Sequence, residues 1–397
     1  MSQNFLVRNK RYKTPVNVNR GISRHSKAKL LLNDNCVLRK TKWNEMKSSI
    51  PNFISIFVCC AGLVQASEGR LKAWPLVSLV LLFSTVDYMA LIIVDFDIIK
   101  LKVNLPLLIT LSLTSVMYFL MIRMKKRLSF LLLKLQYLPS STKESIYSSL
   151  MLVIFLIPLA VAMSVTILCD KKITSTEYTF GHEVENQWAQ IMLIFFKEYI
   201  YFFTYPAFPC LIDVLYCTIC VRCSCAIRKL TRKISLCSPE QFGPSEQIQV
   251  LRYKAKIDET LKITQEIFSV PSFCLIVATS ISCYSSLGLY LLTNPGTIQL
   301  IEVFTAAVFS FLCLTGTLWT AGTLSVELNK LKDTFYEKTY LRWISYRFPS
   351  EENSRKEIFD KPDFVFTGCD VITYTRSSVF AIVGALLTYT LLILNMS

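Results

Sequence analysis

Charge is scarce in this chain. Only 18% of its 397 residues are Asp, Glu, Lys or Arg, against about a quarter in a soluble domain. The shortage is drawn out over long apolar stretches, which excludes an ordinary water-soluble fold. Histidine is nearly missing, with His25 and His182 alone. Neither stands near Cys217, Cys220, Cys223 and Cys225, so those cysteines lack the second ligand cluster a zinc site needs. They read as passive or reversibly acylated thiols, and no metal and no cofactor are expected. No phosphate-cradling loop and no nucleophile–base pair stands out, so enzymatic activity is not expected. There is no internal repeat, the usual mark of an inverted-repeat transporter. The first fifty residues are polar and basic, with no early apolar core, and do not read as a cleavable signal peptide.

What is present is apolar length. The sequence is 52% hydrophobic with a mean hydropathy of +0.43, and a helix spans a bilayer with about 20 mostly apolar residues. Seven segments meet that requirement: Trp74 to Phe96, Leu105 to Ile122, Ile146 to Leu168, Ile191 to Cys217, Val270 to Leu292, Ile298 to Leu324 and Ser377 to Met396. A shorter run, Ile50 to Val64, is followed at once by Arg70 and Lys72 and reads as an interfacial or half-inserted helix. The expected fold is all-α, a seven-transmembrane helix bundle.

Orientation follows from the basic residues. Of 43 Lys and Arg, 38 fall in the N-terminal segment and alternate loops on one side. The opposite loops hold Lys100, Lys102, Lys171 and Lys172, and Lys197 is left inside the fourth span. The positive-inside rule then places the N-terminus in the cytosol, and seven spans carry the C-terminus to the extracellular side. G-protein-coupled heptahelical receptors have the reverse order, so that class is disfavoured. The net charge of +15 is read as retained cytosolic Lys and Arg, and no nucleic-acid partner is expected. Most cysteines outside the spans fall on the reducing side and only Cys169 lies near an external loop, so the fourteen do not form a disulfide framework.

The organisation expected is a basic cytosolic segment over 1–49, spans one to four with the ligand-pocket region over 50–217, and a cytosolic helical linker over 218–269. Spans five and six occupy 270–325, a cytosolic anchor region and loop 326–376, and the last span 377–397. Ser238-Pro239 through Gly243-Pro244 marks a break. Apolar positions continue past the sixth span through Leu324, Leu328, Leu331 and Phe335, which predicts helical extensions into the cytosol. Pro206 and Pro209 each remove a helix donor, which predicts a kink.

The last span has an uneven face. At helical spacing Ser377, Ala381, Gly384, Thr388, Leu391, Leu392 and Asn395 share one side, small or polar except for the leucines. Such a stripe suits a pore lining, and equally suits close helix packing. The stretches Phe364 to Cys369, Thr375 to Ser378 and Gly384 to Tyr389 resemble the C-terminal signature of arthropod gustatory receptors. That signature closes with Thr-Tyr, five mostly apolar residues, then Gln-Phe. This chain keeps the spacing with Thr388 and Tyr389 but ends on Asn395 and Met396. The resemblance implies a chemoreceptor of the plasma membrane acting as a ligand-gated, poorly selective cation channel. Its subunits assemble as a homo- or hetero-tetramer with related receptors in the lipid bilayer, the last span lines the pore, and a small-molecule ligand binds among the outer halves of the helices. An odorant-receptor-like subunit needing a co-receptor, or a secondary transporter, are the alternatives. Ionisable residues inside spans are costly and usually functional. Asp87 beside Tyr88, and Lys197-Glu198 with Tyr201 in an aromatic-rich span, are therefore the candidate ligand-pocket residues. Aromatics at such depths also serve as packing or interface anchors.

Overall fold

The computed structural model describes residues 52–64, 74–94, 98–139, 144–293, 296–346 and 364–396. The basic segment with Cys36 and His25, residues Arg70 and Lys72, and the charged stretch 351–363 lie outside those residues. The chain folds into helices α1 (Asn52–Cys60), α2 (Trp74–Val94), α3 (Ile98–Arg123), α4 (Lys125–Leu135), α5 (Glu144–Leu168) and α6 (Lys171–Tyr178). Next come α7 (Gln187–Phe202), a π-helical turn (Phe203–Ala207), α8 (Phe208–Leu236), α9 (Pro244–Thr293) and α10 (Thr297–Tyr346). A two-stranded hairpin, β1 (Thr367–Gly368) with β2 (Ile372–Thr373), precedes the last helix, α11 (Arg376–Met396).

The pattern of exposure inverts that of a soluble bundle. On α2, Leu76, Leu79, Phe83, Val86 and Ile93 are exposed at helical spacing, while Leu81, Ser84 and Asp87 are buried. The helix therefore shows its apolar stripe outward and keeps its polar groups inside, the arrangement lipid favours. Six helical segments are long and apolar enough to cross a membrane among the described residues: α2, the part of α3 from Leu105 to Arg123, α5, the α7–α8 run, α9 and α10. The apolar part of α11, Arg376–Leu392, is shorter than that. Six helices among the described residues thus have the length and composition of a span, where the sequence predicts seven. The Ile50 to Val64 run yields only the nine-residue α1, whose Ile54 and Val58 are buried. Phe57 packs on Phe208, and the Tyr118 hydroxyl donates to the Ala61 carbonyl.

Helix α8 is the centre. It is buried on nearly every face and packs along α10, while α9 packs on α3 and α10. The break predicted in the fourth span falls at Tyr205-Pro206, where Tyr205 is extended (φ −151°, ψ 127°). Pro209 does not contribute. It lies in the first turn of α8, where no intrahelical donor is required. The Tyr205 hydroxyl bonds Ser310 at 2.9 Å, so the break is held by a partner on α10. The Ser238 to Pro244 break is a loop, and α9 begins at Pro244. Both α9 and α10 then run unbroken for 50 residues, far beyond the roughly 20 that a bilayer requires.

The hairpin fastens α11 to the ends of these long helices. Gln265 stands in for a third strand: its amide donates to the Thr367 carbonyl at 2.8 Å and accepts from the Thr367 N–H at 3.2 Å. Cys369 and Asp370 both turn in the left-handed region (φ 53° and 57°). Ser269 accepts from the Cys369 N–H at 3.1 Å, and Tyr374 shares a hydrogen bond with Ser272 at 2.8 Å. Gly322 on α10 lets the chain pass: a Cβ there would lie 2.5 Å from the Arg376 nitrogen and 2.8 Å from the Thr375 carbonyl carbon. Arg376 then lies over Trp319 at 5.2 Å and bonds Thr323 at 3.2 Å.

Candidate ligand cavity and final helix

A cavity of about 650 Å³ opens among α2, α3, α6, α7, α9 and α10, at the end of the bundle that carries the α9–α10 connection. Its apolar wall includes Leu91, Ile92, Leu111, Phe202 and Val303. Its polar wall is made by Tyr88, Tyr178, Tyr201, Ser282, Ser285 and Ser286, with the carboxyl groups of Glu177, Glu198 and Glu302. Apolar walls with a few convergent polar groups are what small-molecule sites share, and this volume falls within their usual range.

Of the five sequence-predicted pocket residues, Tyr88, Glu198 and Tyr201 line this cavity. Asp87 and Lys197 stand behind the wall and bind each other at 2.9 Å, with side chains 7% and 12% exposed. The charges of Lys197 and Glu198 are adjacent in sequence but do not pair. One helix position apart, they turn to different sides. Lys197 also donates to the Tyr178 carbonyl at 2.9 Å and lies 5.2 Å from the Phe180 ring. Tyr201 donates to the other Asp87 oxygen, and Tyr178 donates to Glu198. Burial, followed by the Glu198 carboxylate, holds the Tyr178 phenol well above its ordinary pKa, so it stays a neutral donor. The rings of Tyr88 and Tyr201 meet edge to face at 6.0 Å. Asp87 and Lys197 thus orient the tyrosines that face the cavity.

Sequence reasoning misses two of the cavity's acids. Glu302 stands in an apolar stretch, Ile298 to Val308, and the rule that singles out Asp87 applies equally to it. Glu177 sits in a polar loop helix and carries no such signal. Asp213, buried in α8, also answers to that rule: it accepts from Thr317, and from the Cys217 thiol at 3.4 Å. Among the described residues no three Cys, His, Asp or Glu side chains converge as a metal site. Cys217, Cys220 and Cys223 are buried in α8 and Cys225 is half-buried.

The second candidate is α11. Ser377, Ala381, Gly384, Thr388, Leu391, Leu392 and Asn395 are all exposed on the protomer. Met396 closes the helix. Tyr389 instead turns inward, its ring edge-to-face with Tyr284 at 4.9 Å and its hydroxyl close over Gly288. Leu387 is exposed as well, so the uncovered surface is wider than the predicted stripe.

No family model matches the sequence, and no curated protein matches it. Solved structures do. The insect olfactory receptor OR5 from Machilis hrabei superposes with a TM-score of 0.67 at 13% identity, covering 92% of this chain and 100% of that one. The same receptor in complex with eugenol gives a TM-score of 0.55 at 13% identity, over 90% and 99% of the two chains. A superposition over nearly the full length of both chains leads to one conclusion: this chain has the fold of an insect olfactory receptor.

Proposed function

We propose that this chain is a gustatory-type chemoreceptor of the insect odorant and gustatory receptor superfamily, a ligand-gated, poorly selective cation channel subunit. One observation carries the reading: a tyrosine-lined cavity within a fold whose Machilis hrabei representative has been solved with the small molecule eugenol. In this reading a tastant enters the cavity, and four subunits surround a path lined by α11. That helix is the seventh span, the N-terminus is cytosolic and the C-terminus extracellular, in the plasma membrane. The exposed stripe on α11 supports it, because a protomer of a central channel leaves its lumen and neighbour faces uncovered. The Thr388-Tyr389 motif favours the gustatory over the odorant type. The secondary-transporter alternative loses ground, since Asp87 and Lys197 are occupied with each other and Glu198 with Tyr178.

The reading is tested by expressing the chain alone and with related subunits, applying a small-molecule panel and recording current. Discrete unitary currents are expected. Ala306→Trp fills the cavity from α10 and should abolish the response while surface expression persists. A tag after Ser397 should be reachable on intact cells and one before Ser2 should not. Stoichiometric flux without unitary events, or the reverse tag pattern, refutes the proposal.

A further inference from the structure

Among the described residues the cavity wall carries acids and no bases. Glu177, Glu198 and Glu302 all line it, and among the described residues no Lys, Arg or His does. They arrive from α6, α7 and α10, so the topology gathers them, not a local acidic run. Glu302 lies in the field of Glu198 and Glu177, and Glu198 in that of Glu177. Lys197, the neighbour of Glu198 in sequence, is spent on Asp87 behind the wall. Glu198 has a neutral donor in Tyr178, which satisfies a lone pair but cancels no charge. Glu302 makes no hydrogen bond or ion pair among the described residues.

Carboxyl groups gathered in an apolar enclosure ionise only at a cost, because the low dielectric strengthens the repulsion between their charges. Something of opposite charge relieves that repulsion when it enters. A metal ion is a poor candidate: among the described residues no three such side chains are arranged to hold one. A larger cation can answer separated carboxylates at once. The rings of Tyr88, Tyr178 and Tyr201 beside them supply negative π faces, which attract quaternary and protonated amines. The rest of the wall is apolar and offers burial to an aromatic or branched hydrocarbon body.

We infer that the cavity takes an organic cation: a protonated or quaternary amine on an apolar body, its charge set among Glu177, Glu198 and Glu302 and its nitrogen substituents against the tyrosines. The inference rests on the reading of this cavity as the ligand site and names the chemical class that site selects.

The test uses two probes of nearly equal shape, benzyltrimethylammonium and its uncharged isostere neopentylbenzene. Binding to the purified full-length chain is read as a dose-dependent rise in the thermal unfolding midpoint. The ammonium is expected to stabilise the chain and the isostere to do so far less. Glu302→Gln and Glu198→Gln should each weaken the ammonium about tenfold. Their unliganded midpoints should stand at or above the parent's, since each removes a repulsion and the carboxamide that replaces Glu198 still accepts from Tyr178. Equal stabilisation by the two probes, no shift with the ammonium, or an ammonium shift indifferent to both substitutions overturns the inference. Ala306→Trp separates the two levels. If the isostere alone stabilises the parent and loses its effect in that variant, the cavity remains the ligand site and only its charge preference falls. If both probes act undiminished in the variant, they bind elsewhere and the reading of the cavity falls too.

Discussion

The Asp87–Lys197 pair is the residue-scale feature on which the cavity wall depends. Both groups are withdrawn from solvent and both are answered. Asp87 takes Lys197 and Tyr201, and Lys197 takes Asp87, the Tyr178 carbonyl and a ring face. Removing one partner of such a pair strands the other's charge in an apolar setting, which costs about 3–5 kcal/mol. Asp87→Asn or Lys197→Met alone should therefore lower the thermal midpoint sharply and loosen Tyr201. The double variant should be less damaged than the sum of the two singles, because no charge is then left behind. A strictly additive double-mutant cycle would show that the pair is not coupled. The sequence marks both residues as unusual, since a charge inside a span needs a reason. It does not reveal that they answer each other across 110 positions. Which face of a helix turns to which neighbour is decided by packing, and so the adjacent Glu198, not Lys197, reaches the cavity.

At the scale of elements, the attachment of α11 to α10 rests on a missing side chain. Gly322 is where Thr375 and Arg376 pass closest, and only a residue without a Cβ leaves room. Gly322→Ala should push the start of α11 away and part Arg376 from Trp319 and Thr323, at about 1–3 kcal/mol. Faster hydrogen exchange over residues 366–380 would report it, with the cavity region unchanged. Exchange that rises uniformly would point to global destabilisation instead. The helices themselves are largely readable in the sequence. Apolar periodicity running through Leu328, Leu331 and Phe335 foretells the long α10, and Ser238 to Pro244 foretells the loop before α9. The hairpin is not readable. Its strands are two residues each, and its third edge is the Gln265 side chain, which has no sequence pattern.

At the scale of the molecule, the uncovered face of α11 sets the most direct experiment on conduction. Cysteines placed one at a time from Ser377 to Met396 and probed with a water-soluble thiol reagent should block current every three or four positions, Thr388 and Asn395 among them. Uniform protection of α11 while another helix reacts would remove it from the conducting path. The length and hydropathy of the chain make a helical membrane bundle legible, because apolar runs have few other uses. The last helix is harder to place: its apolar stretch is shorter than the other six, and single-chain packing leaves its small residues bare. A last consequence follows from α9. On adjoining faces of the same turns, Ser285, Ser286 and Leu289 border the cavity while Tyr284 and Gly288 hold Tyr389 of α11. The wall that an occupant presses and the seat of the final helix are thus two sides of one rod, with no intervening relay. If the cavity holds the ligand and α11 lines the conducting path, such a rod passes on displacement, not tightness of grip. Two compounds held equally well but differing in bulk at the serine side should then differ in the largest current they evoke, the slimmer one acting as a blocker of the stouter.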